Sequence, residues 1–288
     1  MKVLFVGATG MLGRPVARRL VTDGFHVRAM VREVDRARRL LPSDCELVTG
    51  DLRDAASLEP AMRGMDAVYI NLAAPMKARP PNWEPELHGT QAIIEAAKRT
   101  SVKRVLRISA MGVDDAANQW WAADHKARAD AGLMGSGLAW TILRPTWLME
   151  SLATMVLGRF LLTISLPGSL RWLAGDDLAR QLAAALRSGA AIDKVYHPQG
   201  PELLTLRQAS ARFAATSGLR MLCLPMWPMR LGSMVNGRAA YLTALLKMTV
   251  NHFSRIDQRL LPTDLPSARM RIEDYVRYMR ESGDRPRK

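Results

Sequence analysis

Residues 3–13, VLFVGATGMLG, set Gly7, Gly10 and Gly13 between a run of short apolar residues and a stretch with helical spacing. Val3 to Val6 read as a strand, and Val16, Ala17, Leu20 and Val21 as the inner side of a helix. A strand, tight turn and helix in that order present free backbone N–H groups and the positive end of a helix dipole, which together hold a pyrophosphate. Gly7 allows the turn, Gly10 lets phosphate approach the backbone, and Gly13 brings the helix close to the strand. Thr9, Met11 and Leu12 complete the turn and belong to the same expected dinucleotide site.

The choice of nucleotide turns on the end of the second strand, where an acid would hold the ribose hydroxyls of NAD. Arg32 stands there instead, with Arg14 and Arg36 nearby in sequence. A guanidinium fork matches a ribose 2′-phosphate, so the placement predicts NADPH in preference to NADH. Glu33 is the neighbour that would take the hydroxyls if it turned inward. Asp51 and Leu52, after the third strand, are expected beside the adenine. Asn71 and Leu72, after the fourth, are expected to border the cofactor trough.

Further along, HVRAMVR (26–32), ELVTGD (46–51), AVYINL (67–72), RVLRIS (104–109) and AWTILRP (139–145) read as strands. Helical segments over 35–41, 55–63, 84–100 and 123–136 separate them. This alternation predicts an α/β fold, a doubly wound parallel Rossmann sheet whose strand C-termini meet at one edge. After Pro145 the alternation fades into helices over 176–187, 205–217 and 267–282 and a short strand at Lys194–His197. The expected division is a nucleotide-binding domain over 1–150 and a smaller, mostly helical substrate lobe over 151–288, built onto the same fold. The RPRK tail at 285–288 is expected to fray.

Composition narrows the classes. Cys45 and Cys223 lie far apart in apolar surroundings, which argues against a disulfide framework and suits a reducing cytoplasm. The five histidines lack metal-ligand spacing. Lys2 leads straight into strand residues, unlike a signal peptide. No apolar run approaches the roughly 20 residues that span a bilayer. The net charge of +14 suits an anionic partner, yet no basic run interleaved with aromatics suggests nucleic acid.

Together GATGMLG (7–13), MVR (30–32), GDLRD (50–54), GTQAIIEAAKRTSVKRVLRIS (89–109), DHKARAD (124–130) and SGLAWTILRP (136–145) resemble the short-chain dehydrogenase/reductase superfamily, specifically its atypical NmrA-like branch. The resemblance covers about the first 150 residues and continues weakly through 174–186 and 200–218. It implies NADPH binding. Some members of the branch reduce small compounds such as quinones, dyes or isoflavonoids, and others are redox-sensing regulators without turnover.

The resemblance also implies roles. In the parent superfamily a serine, a tyrosine and a lysine four residues after the tyrosine do the chemistry, with tyrosine giving a proton as hydride arrives. Ser109 matches the serine and Lys126 the lysine, but the tyrosine position is Ala122. Trp120 and Trp121 supply no useful proton, and Tyr69 and Tyr196 reach the site only if the fold brings them there. Asp124, His125 and Lys126 then remain as proton-transfer groups. Lys126 is expected to contact cofactor ribose or substrate, although His125 and Lys126 stand about 100° apart on a helix. Arg144 is expected to be structural, satisfying strand carbonyls. Thr146, Trp147 and Glu150 are expected to border the substrate cavity.

One stretch has its own character. From Leu203 to Ile256 there are 54 residues with seven Arg or Lys and no acid, together with five methionines and Trp227. It suits a substrate lid, or a peripheral membrane or protein contact through 221–256. The expected activity is NADPH-dependent reduction of a small apolar carbonyl, quinone or conjugated compound. The alternative is an NADPH-binding regulator or assembly factor that has lost turnover.

Overall fold

The computed structural model describes residues 1–115, 120–225, 227–253 and 262–281. The RPRK tail, Met226, Arg255 and Ile256 lie outside the described residues. The chain forms two compact units: one of Met1–Pro75, Pro80–Arg144 and Ala179–Tyr196, the other of Met76–Arg79, Pro145–Leu178 and His197–Lys288. This differs from a single cut near residue 150, because Ala179–Tyr196 belong to the first unit.

The first unit alternates strand and helix: β1 (Lys2–Val6), α1 (Gly13–Thr22), β2 (His26–Val31), α2 (Val34–Arg38), β3 (Glu46–Thr49), α3 (Ala55–Met62) and β4 (Ala67–Ile70). A π-helical turn at Pro85–Gly89 leads into α4 (Thr90–Lys98), followed by β5 (Arg104–Ile108), α5 (Trp121–Met134) and β6 (Ala139–Leu143). The expected helix over 84–100 is therefore a wide turn followed by an α-helix.

The doubly wound parallel sheet is present. Its seventh strand, β10 below, gives the order β10-β6-β5-β4-β1-β2-β3. Every pairing is parallel, with Val3–Val6 of β1 beside Ala67–Ile70 of β4 and Lys2–Val6 beside His26–Met30 of β2. The direction of winding reverses at β1, so a crevice opens beyond the C-terminal ends of β1 and β4. Alternation along β1 sends Leu4 and Val6 to one face, where they join Val68, Ile70, Val105 and Ile142 in packing on Leu58, Met62, Ile93, Ala97 and Leu133. Val3 and Phe5 face the other way and are also buried.

In the second unit come α6 (Glu150–Thr154), β7 (Val156–Leu157), β8 (Phe160–Ile164) and β9 (Leu170–Arg171). Helix α7 (Gly175–Arg187) and strand β10 (Lys194–Tyr196) follow, and from Ala179 they belong to the first unit. The chain then forms β11 (Leu203–Leu204), α8 (Leu206–Ser217), β12 (Arg220–Leu224), α9 (Trp227–Val235), α10 (Gly237–Phe253) and α11 (Ile272–Glu281). Strands β12, β8 and β7 make a small sheet that apolar alternation did not reveal. Its core gathers Met149, Leu161, Trp172, Phe213, Tyr275 and Val276. Thr205 and Gln208 form a reciprocal capping box on α8, and Gly218 ends that helix at φ 71°. Arg212 Nε and Nη2 meet the two Glu273 oxygens at 2.5 and 2.6 Å, joining α8 to α11. These hydrogen bonds hold the Glu273 carboxyl below its ordinary range.

Both cysteines are free thiols, Cys45 buried and Cys223 exposed. Burial, reinforced by Asp44, pushes the Cys45 thiol up to about 11. Iodoacetamide at neutral pH is therefore expected to label Cys223 and spare Cys45 in the native protein, with both labelled after denaturation; mass spectrometry of the digest reads the outcome.

Candidate nucleotide-binding site

The turn after β1 has little freedom. Gly7 sits at φ 91°, and a Cβ there would stand 2.0 Å from the Asn71 carbonyl oxygen. Asn71 binds the turn twice, its N–H donating to Val6 O at 2.9 Å and its Nδ2 to Gly7 O at 3.4 Å. Gly10 N–H donates to Gly7 O at 3.2 Å and closes the loop. At Gly13 a Cβ would lie 2.3 Å from Gly7 O and 2.5 Å from Ala8 O, so α1 can approach β1 only as glycine. Gly10 differs: it is exposed, and its added Cβ would meet only Gly7 O, at 3.3 Å. The space that a side chain would fill there is left open.

Above the turn, α1 begins at Leu12 with no side-chain cap and no acid in its first turn. Its positive end is thus not neutralised locally, as an anion-binding terminus requires. Thr9 is half-buried, Met11 exposed and Leu12 buried. This cradle fits the pyrophosphate of a dinucleotide.

Arg32 follows the last residue of β2 and is exposed. Glu33 is exposed and pairs loosely with Arg36 at 3.8 Å. Asp51 follows Gly50 at the end of β3, where its side chain accepts from Arg53 N–H at 3.0 Å and its own N–H donates to Ser57 Oγ at 3.1 Å. Its carboxylate shapes the turn that follows β3. Leu52 and Leu72 converge over Gly89, where a Cβ would stand 2.8 and 3.4 Å from their methyl groups.

On the other side of β4, Ser109 follows β5, its N–H donating to Leu143 O at 2.8 Å. Its hydroxyl is buried and has no hydrogen-bond partner among the described residues. Such a group costs free energy unless a ligand or water meets it. Lys126, on α5, has its ammonium bound to Glu86 Oε1. Glu86 is fully buried and its other oxygen takes Arg107 Nη2 at 3.0 Å. Arg107 Nε then reaches Asp130 Oδ1 at 2.8 Å, and Asp130 Oδ2 receives Arg144 Nε at 3.0 Å. Arg144 also pairs with Asp114. Arg144 is thus structural through carboxylates, not through the strand carbonyls that the sequence suggested.

Three cations and three carboxylates alternate along this chain, so charge is balanced inside the protein. Burial alone would lower the Arg107 guanidinium pKa, but Glu86 and Asp130 more than offset this and raise it. His125 is buried beside the chain, with Nδ1 3.0 Å from Glu84 Oε1. Glu84 also accepts Glu86 N–H at 2.8 Å and Leu87 N–H at 2.7 Å. His125 is held in this way, with Trp121 edge-on at a 5.4 Å ring separation. Ala122 is buried. Tyr69 is fully enclosed in β4 against Phe5, ring centres 4.7 Å apart, and burial drives its phenol above the ordinary range. Tyr196 is buried in β10.

Glu84, Glu86 and Asp130 were not singled out from sequence. The available signal was indirect: Arg107 and Arg144 interrupt apolar strands, and a buried arginine needs carboxylates. Of the residues after Pro145, Thr146 Oγ1 donates to Arg171 O at 2.5 Å, and Glu150 Oε1 accepts Gly175 N–H at 2.8 Å. Trp147 lies edge-on to Trp172 and donates to Thr249 Oγ1 at 3.1 Å. All three make structural contacts within the second unit.

Fold and cradle define a nicotinamide-dinucleotide-binding α/β protein. A family model described as NAD(P)H-binding matches residues 7–187, and the chain belongs to that family, of the NmrA-like, atypical short-chain dehydrogenase/reductase type. It is similar to the (4-alkanoyl-5-oxo-2,5-dihydrofuran-3-yl)methyl phosphate reductase of Streptomyces griseus subsp. griseus, 28% identical over 75% of this chain and 74% of that protein. Similarity to the NAD(P)H azoreductase of Xenophilus azovorans reaches 27% identity over 75% of this chain and 74% of the relative. In fold it matches the NADPH-dependent quinone oxidoreductase of Escherichia coli complexed with NADPH, with a TM-score of 0.77, 21% identity, and coverage of 96% of this chain and 99% of the other.

Two outcomes follow. Gly10→Ala is expected to change stability by no more than about 1 kcal/mol, while nucleotide affinity falls at least about tenfold; thermal melts and fluorescence titration separate the two. Asp130→Ala removes the carboxylate that Arg107 and Arg144 share, leaving each with one partner, Glu86 and Asp114, and is expected to cost about 3 kcal/mol in chemical denaturation.

Proposed function

We propose that this protein is an NADPH-dependent reductase of small apolar carbonyl, quinone or conjugated compounds. The observation that carries the reading is the uncapped α1 terminus over the Gly7–Gly13 turn, a cradle with open space at Gly10 alone. The reductases to which the chain is similar support the reaction class. When bound, the nicotinamide would supply the hydride. Gly7, Gly10 and Gly13 hold the pyrophosphate, and Arg32 receives the 2′-phosphate, unopposed by Glu33. The Ser109 hydroxyl, buried and unpartnered, is available to a polar atom at the nicotinamide end.

The proton side of the reaction supports the substrate class. Ala122 leaves no phenol where the superfamily has one, and Tyr69 is sealed in the sheet. Quinones and extended conjugated acceptors tolerate this, because their reduced oxygen or nitrogen takes a proton readily from water. His125 Nε2, oriented through Nδ1 by Glu84, is the side chain suited to assist. A cytoplasmic setting accords with two free thiols.

One observation favours the second reading, a nucleotide-binding regulator or assembly factor without turnover. Ala122 offers no proton donor at the superfamily's tyrosine position, and the Lys126 ammonium already commits one of its three N–H donors to the buried Glu86 carboxylate.

Tryptophan-fluorescence titration with NADPH and NADH, on wild type and Arg32→Ala, tests the cofactor assignment. The substitution is expected to weaken NADPH about 10–100-fold, the loss of one charge-assisted pair, and to leave NADH unchanged. Steady NADPH oxidation with any member of a quinone and azo-dye panel supports the reductase. Tight binding with no turnover across the panel selects the regulator.

A further inference from the structure

Strand β12 is an outer strand of the small sheet β12-β8-β7. It pairs parallel with β8 from Arg220↔Phe160 to Leu224↔Ile164 without a bulge. Arg220 N–H donates to Arg159 O at 2.9 Å, which fixes the direction of the backbone groups along the strand. In a parallel ladder alternate residues face the neighbour, so Arg220, Leu222 and Leu224 turn their N–H and C=O toward β8. Those of Met221 and Cys223 point to the open side, where no other described residue bonds them.

The side chains are as uncovered as the backbone. Leu222 is 42% exposed and Leu224 44%, and Cys223 is exposed too. Thr163 Oγ1 and Ser210 Oγ, 2.9 Å apart, set one side of the sheet on α8. The register puts Cys223 on that side with Thr163, and Leu222 and Leu224 on the other. Natural edge strands are guarded by charge, proline or a bulge. Within β12 the only charge is Arg220, at the first position, and Pro225 comes after the last. Arg220 is moreover drawn over the Phe160 ring, 6.0 Å from its centroid.

An unguarded apolar edge selects a strand as its partner, because extended backbone answers a row of unpaired N–H and C=O groups. β12 is itself complementary to that edge. Turned antiparallel about Leu222, a second β12 sets Met221 against Cys223 and Cys223 against Met221, the residues whose backbone groups point outward. Leu222 then meets Leu222, and Arg220 meets Leu224, so no like charges are opposed. A register centred on Met221 would set Cys223 against Leu219, whose N–H already binds Ala214 O. One centred on Cys223 would set Met221 against Pro225, which has no N–H. We infer that this protein forms a twofold dimer through antiparallel pairing of β12 with β12 of a second copy, the axis passing beside Leu222. Met221 and the partner's Cys223 exchange both hydrogen bonds, as do Cys223 and the partner's Met221, and the two small sheets become one. The inference stands whether or not the nucleotide site turns over.

Sedimentation equilibrium of the full chain over a range of concentrations tests it. Wild type is expected as a monomer–dimer equilibrium that tightens with added salt, since each copy carries +14. Leu222→Lys opposes two ammonium groups at the axis and removes an apolar contact, and is expected to weaken the dimer at least about tenfold. Melting temperature controls for folding. The register has its own readout in a Cys223→Ser background. Leu222→Cys sets its Cα about 4.5 Å from the same position of the second copy, within disulfide range. Leu224→Cys leaves about 14 Å between the two positions, beyond that range. Mild oxidation is expected to link the first variant as a dimer and not the second. A monomer at every concentration overturns the inference. So does a dimer that survives Leu222→Lys, or one cross-linked equally through positions 222 and 224, either of which assigns association to another surface. Protection of the Met221 and Cys223 amides from hydrogen exchange in a monomer also overturns it, in favour of another segment of this chain.

Discussion

The contact between residue 7 and the Asn71 carbonyl oxygen sets the terms for the first unit. A Cβ would stand only 2.0 Å from that oxygen, so the chain can leave β1 here only as glycine with positive φ. That exit angle brings Gly13 onto the Gly7 and Ala8 carbonyls and points the start of α1 into the crevice between β1 and β4. The parallel register then brings Arg32, Asp51, Asn71 and Ser109 to the same edge, because each follows the C-terminal end of a strand. A dinucleotide site is the consequence of one close backbone approach repeated through a parallel sheet.

Beside the cradle, a second constraint is electrostatic. Lys126, Glu86, Arg107, Asp130, Arg144 and Asp114 form one chain of ion pairs joining the turn before α4, strand β5, helix α5, the residue after β6 and the loop after Ser109. Replacing such a chain with apolar residues can be neutral, but removing one member strands the others in a medium that cannot solvate them. The chain therefore gives Lys126, which the superfamily resemblance assigns to the cofactor, a buried carboxylate partner as well. Glu84 and His125 form a separate pair beside this chain.

Charge is distributed with similar economy at the surface. The long acid-free segment is not a uniform basic coat: Arg212 is paired with Glu273, whereas Arg238 stands on the exposed α9–α10 turn. Local pairing, not the count of basic residues, decides where positive potential persists. Met234 and Val235 are exposed at the same turn.

Much of the first unit was legible because its signals are local. Gly7, Gly10 and Gly13 announce a turn through backbone freedom, and apolar runs bounded by glycine or charge announce buried parallel strands. The second unit's two small sheets were not legible: β7, β9 and β11 are two residues each and carry no period, and the runs FLLTI of β8 and RMLCL of β12 do not alternate polar with apolar. Nor could spacing show that Ala179–Tyr196 belong with the first unit, a matter of long-range pairing between β10 and β6. By itself the sequence determined the nucleotide cradle, the absent tyrosine at Ala122 and the excess of positive charge, each a property of residue type at a position. Only tertiary structure decided that Lys126 answers Glu86, that Glu84 orients His125, and that a loop after β4 joins the α9–α10 turn. These are encounters between residues far apart in the chain, and their partners are chosen by burial, which forces charges to pair wherever the fold brings them together.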